Sequence, residues 1–377
     1  MNQIIARSLS SVHTENGNKL KTLVCRVSEA NFDAVLEKAA EILRNGGTVA
    51  FPTETVYGLG ADGLNPYAVG KIFKAKKRPP GNPLSLLVYS MEDVQKVAKN
   101  IPEKALKLMD NFWPGPLTII LEKNDVVPGI TSGNLLSIGV RMPDHKIPLE
   151  LIRRTGTPLA APSANLSGKP SPTLAGHVIA DLSGSIDAIL DGGETAIGLE
   201  STVIDITVEP PLVLRPGAIG ISDLETIIGK VKEFKSGDNE DKPGTSESQI
   251  KQYESQKLNH YTPDTKVVLI EGQTETVSEK IAELFEEYKN KGQNTGFLLS
   301  EENLNLLSLK GLNLEEYFVL GSAKQPEVAA RKLFEGLRDL DRKGLDVILA
   351  DGSFSQSGLG TALMNRLREA AFLKYIV

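Results

Sequence analysis

The stretch TVAFPTETVYGLGADG, residues 48–63, decides how the first part of the chain is read. Thr48-Val49-Ala50-Phe51 has the continuous apolar character of a short buried strand. Before it, Phe32, Val35, Leu36, Ala39, Ile42 and Leu43 recur at helical spacing, and Gly46-Gly47 mark where that helix stops. After it, Gly58-Leu59-Gly60-Ala61-Asp62-Gly63 satisfies the G-x-G-x-x-G pattern of a dinucleotide site. A genuine fingerprint follows its strand directly and has an acid about 20 residues further on for the ribose. Here Pro52-Thr53-Glu54-Thr55 intervenes, and no acid lies between Asp62 and Glu92. The fingerprint reading is rejected; the helix-then-strand rhythm stays.

That rhythm continues outward. Leu86-Leu87-Val88, Leu117 to Leu121, Ile138-Gly139-Val140, Ala188-Ile189-Leu190, Val203 to Ile206 and Leu212-Val213-Leu214 read as further strands, the last two joined by a Pro-Pro turn. Residues 232–264 then lose almost all aliphatic character and read as an interdomain linker. Beyond it, Val267 to Ile270, a helix around Val277–Tyr288, Gly296 to Leu299, Tyr317 to Leu320, a helix opening at Pro326 and Val347 to Ala350 alternate as in a small parallel α/β sheet. The expected division is an N-terminal extension at 1–27, a first α/β domain at 28–231, the linker at 232–264 and a C-terminal domain at 265–377.

Composition narrows the function. The 377 residues carry 42 Lys and Arg against 48 Asp and Glu, a formal net charge of −6, which argues against wholesale coating of nucleic acid. Hydrophobic content of 40% and charged content of 24% are those of a folded protein. Cys25 is the single cysteine, so no internal disulfide forms and a reducing, cytoplasmic location is expected. No apolar run approaches the roughly 20 residues of a spanning helix, and the first residues lack the pattern of a secretory signal.

Three stretches could carry chemistry. Lys71, Lys74, Lys76, Lys77 and Arg78 run into the rigid turn Pro79-Pro80-Gly81-Asn82-Pro83. Lys71 and Lys74 suit a solvated helix end. Lys76 and Arg78, set just before the turn, suit an oligophosphate. Ala161 to Thr173 interleaves Ser163, Asn165, Ser167 and Ser171 with prolines, giving hydroxyls and amides for phosphate or sugar. Ser163 lacks both G-x-S-x-G and a histidine partner, so it is not read as a nucleophile. Gly193 to Gly198 is followed by Leu199-Glu200 rather than Lys-Ser/Thr, which excludes a P-loop. His13, His145, His177 and His260 show no metal-ligand spacing with Cys25, so no protein-bound metal is expected and Mg²⁺ would arrive on nucleotide phosphates.

Taken in order, FPTETVYGLG (51–60), Lys76-x-Arg78 with Asn82-Pro83-Leu84, WPGPLT (113–118), VRMP (140–143), APSANLSG (161–168), EST (200–202) and LRPG (214–217) resemble the YrdC-like domain of the threonylcarbamoyl-AMP synthases. The remainder is similar to the long form of that family, including GLGTALMNRLREAA (358–371) near its end. The resemblance implies an α/β fold: a mixed twisted sheet with helices and a concave active-site cleft, plus a smaller C-terminal Rossmann-like parallel domain. It implies a nucleotidyltransferase that makes threonylcarbamoyl-AMP and pyrophosphate from L-threonine, bicarbonate and ATP, for the threonylcarbamoyl modification of tRNA adenosine. Partners would be the machinery that transfers the group to tRNA, with weak RNA binding besides and no membrane.

Carried over residue by residue, Thr55, Arg141 and Ser201 would hold threonine, with Ala161 contributing backbone; Leu87 stands where a histidine contact is expected. Arg78, Asn82, Ser137, Ser163, Asn165, Ser171 and Arg215 would hold ATP, with Lys76 and Arg78 as the catalytic cations. Lys257 to Pro263 resembles the family's Lys-Tyr-x-His-Tyr-x-Pro segment; Tyr261 would contact the nucleotide, and the end of the linker would close over it as a lid. Two rivals are a hydrogenase-maturation carbamoyltransferase, which needs cysteine-rich zinc motifs that one cysteine does not supply, and a double-stranded RNA-binding module using the 71–78 cations.

Overall fold

A computed structural model describes residues 20–79, 81–234 and 261–377, together with the backbone of a strand at Leu9–Ser11. It divides into two compact units. The first comprises residues 1–167, 172–196 and 200–258; the second comprises 168–171, 197–199 and 259–377.

In the first unit, β1 (Leu9–Ser11), β2 (Leu23–Arg26), β3 (Val49–Pro52), β4 (Tyr57–Asp62), β5 (Leu86–Leu87), β6 (Leu117–Glu122), β7 (Ser137–Arg141), β8 (Leu159–Ala160), β9 (Ala188–Asp191), β10 (Thr202–Asp205), β11 (Leu212–Arg215) and β12 (Lys232–Glu233) form one mixed sheet. Their order is β1-β2-β9-β3-β4-β8-β5-β7-β6-β10-β11-β12. The expected strands all appear. The sheet also holds β2, inside the stretch read as an N-terminal extension, and β4, whose glycines were read as following the strand rather than forming one. The reason for β4 is packing: a Cβ at Gly60 would lie 2.5 Å from the ring of Phe51 on the paired strand β3. These glycines serve a tight β3–β4 approach, which explains why the dinucleotide pattern is a coincidence.

Large apolar clusters pack on the sheet. One gathers Tyr57, Leu59, Ile72, Leu86, Val140, Ile189 and Ile204; another gathers Leu36, Leu43, Phe51, Leu87, Leu151 and Leu190. The helix Phe32–Arg44 forms as its spacing predicts, turning Val35, Leu36, Ala39, Ala40 and Leu43 inward.

The second unit carries a five-stranded parallel sheet, ordered β15-β14-β16-β13-β17, from β13 (Lys266–Glu271), β14 (Thr295–Ser300), β15 (Glu316–Gly321), β16 (Val347–Gly352) and β17 (Leu373–Ile376). Strands β13, β14 and β16 are buried along almost their whole length, as expected of parallel strands covered by helices on both faces. Of the described helices, none is long and apolar enough to cross a membrane.

Candidate active site

Strand ends and the loops leaving them position the polar side chains of the first unit. After β3, the turn Thr53-Glu54-Thr55 is held by its own hydroxyls: Thr53 Oγ1 donates to the Val56 carbonyl at 2.7 Å and lies 2.8 Å from Thr55 Oγ1. At the end of β7, Arg141 is buried. Its Nη1 donates to Thr55 Oγ1 at 3.1 Å and its Nε to the Gly115 carbonyl at 3.1 Å, while Nη2 sits 2.5 Å from Glu54 Oε1. Arg141 and Glu54 are each only 8% exposed, so this is a charge pair in a low-dielectric setting.

The Gly115-Pro116 turn links this group to a second. Thr202 N donates to the Pro116 carbonyl at 3.0 Å. Beside it Ser201 Oγ lies 2.8 Å from Thr118 Oγ1, and Arg215, at the end of β11, donates from Nε to the Ser201 carbonyl at 3.1 Å and from Nη2 to Ser201 Oγ at 3.2 Å. Gly217 lets the chain pass here, since a Cβ would fall 2.2 Å from Thr202 N.

A third group surrounds the loop at 161–165. Leu59 N donates to the Pro162 carbonyl and Ala164 N to the Tyr57 carbonyl, both at 2.8 Å, so the loop lies along β4. Ala161 N donates to the Ser85 carbonyl at 3.1 Å. Lys76, at the last turn of the helix Pro66–Lys76 and only 2% exposed, reaches the same loop. Its Nζ donates to the carbonyls of Ser163 and Asn165, the latter at 2.6 Å, and lies 3.5 Å from Asn165 Oδ1. Lys76 therefore points into the loop, where three acceptor oxygens draw it. Lys71 and Lys74 are exposed, as a solvated helix end requires.

Arg78 takes a different course. Nη2 donates to the Pro83 carbonyl at 3.4 Å, and its buried Nε has no hydrogen-bond partner among the described residues. Burial pulls its guanidinium pKa down to about 10, so it remains charged at neutral pH. A buried donor left open beside a charge suits an anionic ligand, since leaving it unpaired costs about 1–3 kcal/mol. Asn82 and Ser137 are half-buried nearby in sequence, the first in the loop after Arg78 and the second opening β7.

Leu87 is buried on β5, pairs in register with Arg141, and packs with Phe51 and Leu159. Ser171 and Tyr261 belong to the second unit. Tyr261 is in the left-handed region, φ 69°, with its ring stacked on Phe334 at 5.1 Å and the Arg366 guanidinium 5.5 Å from its centre. The expected closing segment before it, residues 235–260 with His260, lies outside the described residues.

Glu54, Thr53, Thr118 and Gly115 were not among the expected site residues. A signal for Glu54 existed: it is the lone carboxylate between an apolar strand and a glycine-rich one. No group of three His, Cys, Asp or Glu able to hold a metal occurs among the described residues.

Arginines, a lysine and hydroxyls gathered on strand ends suit a group-transfer enzyme that works by positioning charged substrates. Comparisons give the family. The family profile described as "Telomere recombination" matches residues 41–217, and that described as "Threonylcarbamoyl-AMP synthase, C-terminal domain" matches 219–372. A threonylcarbamoyl-AMP synthase of Pyrococcus abyssi is 44% identical over 360 residues, covering 94% of this chain and 99% of that protein. One from Bacillus subtilis is 42% identical over 342 residues, covering 90% and 93%. The crystal structure of P. abyssi Sua5 complexed with L-threonine superposes with a TM-score of 0.83 at 44% identity, over 94% of this chain and 100% of that one. The chain belongs to the threonylcarbamoyl-AMP synthase family.

Proposed function

We propose that this protein is an L-threonylcarbamoyladenylate synthase, joining L-threonine, bicarbonate and ATP with release of pyrophosphate. The observation that carries this reading is the 44% identity, end to end, with a relative of that name. The residue chemistry agrees with it. Threonine's amine attacks CO₂ derived from bicarbonate and loses a proton, giving an N-carboxylate. That carboxylate oxygen attacks the α-phosphorus of ATP in line, and the bond from the α-phosphorus to the bridging oxygen breaks, so pyrophosphate leaves. Such a transfer asks for orientation and charge stabilisation more than for covalent help.

In this reading Thr55, Arg141 and Ser201 hold threonine, with Ala161 contributing backbone and Leu87 lining the same register. The Arg141 fork suits a carboxylate. Arg78, with its open Nε, Asn82, Ser137, Ser163, Asn165, Ser171, Arg215 and Tyr261 take the nucleotide, and Mg²⁺ is carried on its phosphates. Lys76 fixes the backbone that presents Ser163 and Asn165. The product would pass to tRNA-modifying partners within the cytoplasm.

The test is product identity. Incubation with isotopically labelled bicarbonate and threonine should give a single adenylate carrying both labels by mass spectrometry. With serine the yield should fall, because the missing methyl is worth roughly 1–3 kcal/mol. An adenylate lacking the bicarbonate carbon contradicts the reading.

A further inference from the structure

Two short segments depart from the first unit and return to it: Gly168–Ser171 and Ile197–Leu199 belong to the second unit. By chain connection, the first joins Ser167 to Pro172, just beyond Ser163 and Asn165, and ends in Ser171 itself. The second runs directly into Glu200 and Ser201. Both meet one helix, Pro326–Asp341.

At the first segment, the buried Arg338 donates from both Nε, at 3.1 Å, and Nη2 to the Pro170 carbonyl. Thr262 N donates to the Gly168 carbonyl at 2.8 Å, and Lys169 Nζ lies 3.2 Å from Asp264. A guanidinium with two donors on one carbonyl fixes both position and direction of the peptide group. At the second segment, Gly198 presses on the same helix. A Cβ there would fall 2.4 Å from Arg331 Cα and 2.9 Å from the Ala330 carbonyl oxygen, and its φ of +81° already favours glycine. One helix thus holds two loops, one by a charged fork and one by a contact that only glycine permits.

We infer that Arg338 is a positioning residue for catalysis: through the Pro170 carbonyl it sets the loop that carries Ser171 and follows Ser163 and Asn165. The inference rests on the reading of these three as the nucleotide side of the site. On this inference Arg338 acts through Ser171 on nucleotide binding and leaves the residues read as holding threonine untouched.

Arg338→Met, which keeps the buried stem and removes the donors, tests this in the full chain beside Arg338→Lys, Gly198→Ala and the exposed control Arg342→Ala. Losing a charge-assisted pair of bonds should raise KM for ATP about tenfold or more. KM for threonine should stay within about twofold, Arg338→Lys should recover part of the loss, and Gly198→Ala should shift in the same direction. Wild-type kinetics in Arg338→Met overturn the inference. So does an equal rise in both KM values with no recovery by lysine, which marks a general structural role. If wild-type protein releases no threonine-dependent pyrophosphate, the activity reading fails separately. Amide hydrogen exchange at residues 163–171 then decides: faster exchange in Arg338→Met supports the brace, and unchanged exchange overturns it.

Discussion

Glu54 and Arg141 face one another as a buried ion pair, Nη2 lying 2.5 Å from Oε1, at the meeting of the β3–β4 turn and the end of β7. Neither Glu54 oxygen has a hydrogen-bond partner among the described residues, and the ion pair with Arg141 supplies the compensating charge. Glu54 neutralises Arg141 and keeps the guanidinium aimed between Thr55 and Gly115. On the proposal that Arg141 takes the threonine carboxylate, it meets that group already oriented, which lowers the ordering cost of binding.

Arg141→Met should therefore damage stability as well as activity. It leaves the Glu54 carboxylate buried without its counter-charge, at a cost of about 3–5 kcal/mol. The double variant Glu54→Gln/Arg141→Met should regain most of that in urea unfolding while remaining unable to use threonine. Single and double variants of equal stability would show that the pair is not coupled.

Lys76→Met should cut kcat/KM for ATP by about 10²–10³, because the Ser163 and Asn165 carbonyls lose their shared donor and the loop its orientation. Lys71→Ala, at an exposed position on the same helix, should change it less than about twofold. Steady-state kinetics on both variants decide it. Similar losses from the two would mean that the helix matters only as a field of positive charge.

Arg78→Ala should cost about 2–4 kcal/mol of transition-state stabilisation. The pH dependence has a definite sign. With a pKa of about 10, the guanidinium is charged throughout the neutral range, so on the proposed nucleotide role its contribution to affinity falls only as pH rises through that value. Nucleotide binding followed from pH 7 to 9 should show no step due to Arg78. A step that disappears in Arg78→Ala contradicts this.

His145 provides a stability switch at mild acid. It caps the helix Lys146–Thr155, Nδ1 accepting from Ile147 N at 3.2 Å. Burial lowers its pKa below 6.5, against the opposing pull of Glu54 and Asp144. The unfolded chain then binds the proton more readily than the folded one, so stability is complete above 6.5 and declines as pH falls below it. Protonated Nδ1 cannot accept, so the cap, worth about 1 kcal/mol, is lost with it. His145→Asn keeps a cap and removes the titration. Its urea midpoint should vary less between pH 5 and 7 than that of wild type; equal slopes would dismiss the switch.

Much of the fold was legible because buried strands announce themselves. Val49 to Phe51, Leu117 to Leu121 and Val267 to Ile270 are apolar runs bounded by turn residues, and each is a strand. β4 was not, because its glycines answer to Phe51 across the sheet, a partner that spacing along the chain does not reveal. Leu159–Ala160, two residues long, carries too little pattern to be seen. At the site, Lys76 was singled out as a cation before a rigid turn, yet its acceptors lie 87 and 89 residues away. The Glu54–Arg141 pair spans the same kind of distance. Residue type marks who can take part; only the closed sheet decides who meets whom.

Pyrophosphate release, measured with ATP present and threonine or bicarbonate left out in turn, is the most direct measurement of the carbamate route. Release should occur only when both are supplied and should be lost in Arg141→Met. Release at the same rate without bicarbonate, or without threonine, would contradict it, because no carbamate could then be the group that attacks the α-phosphorus.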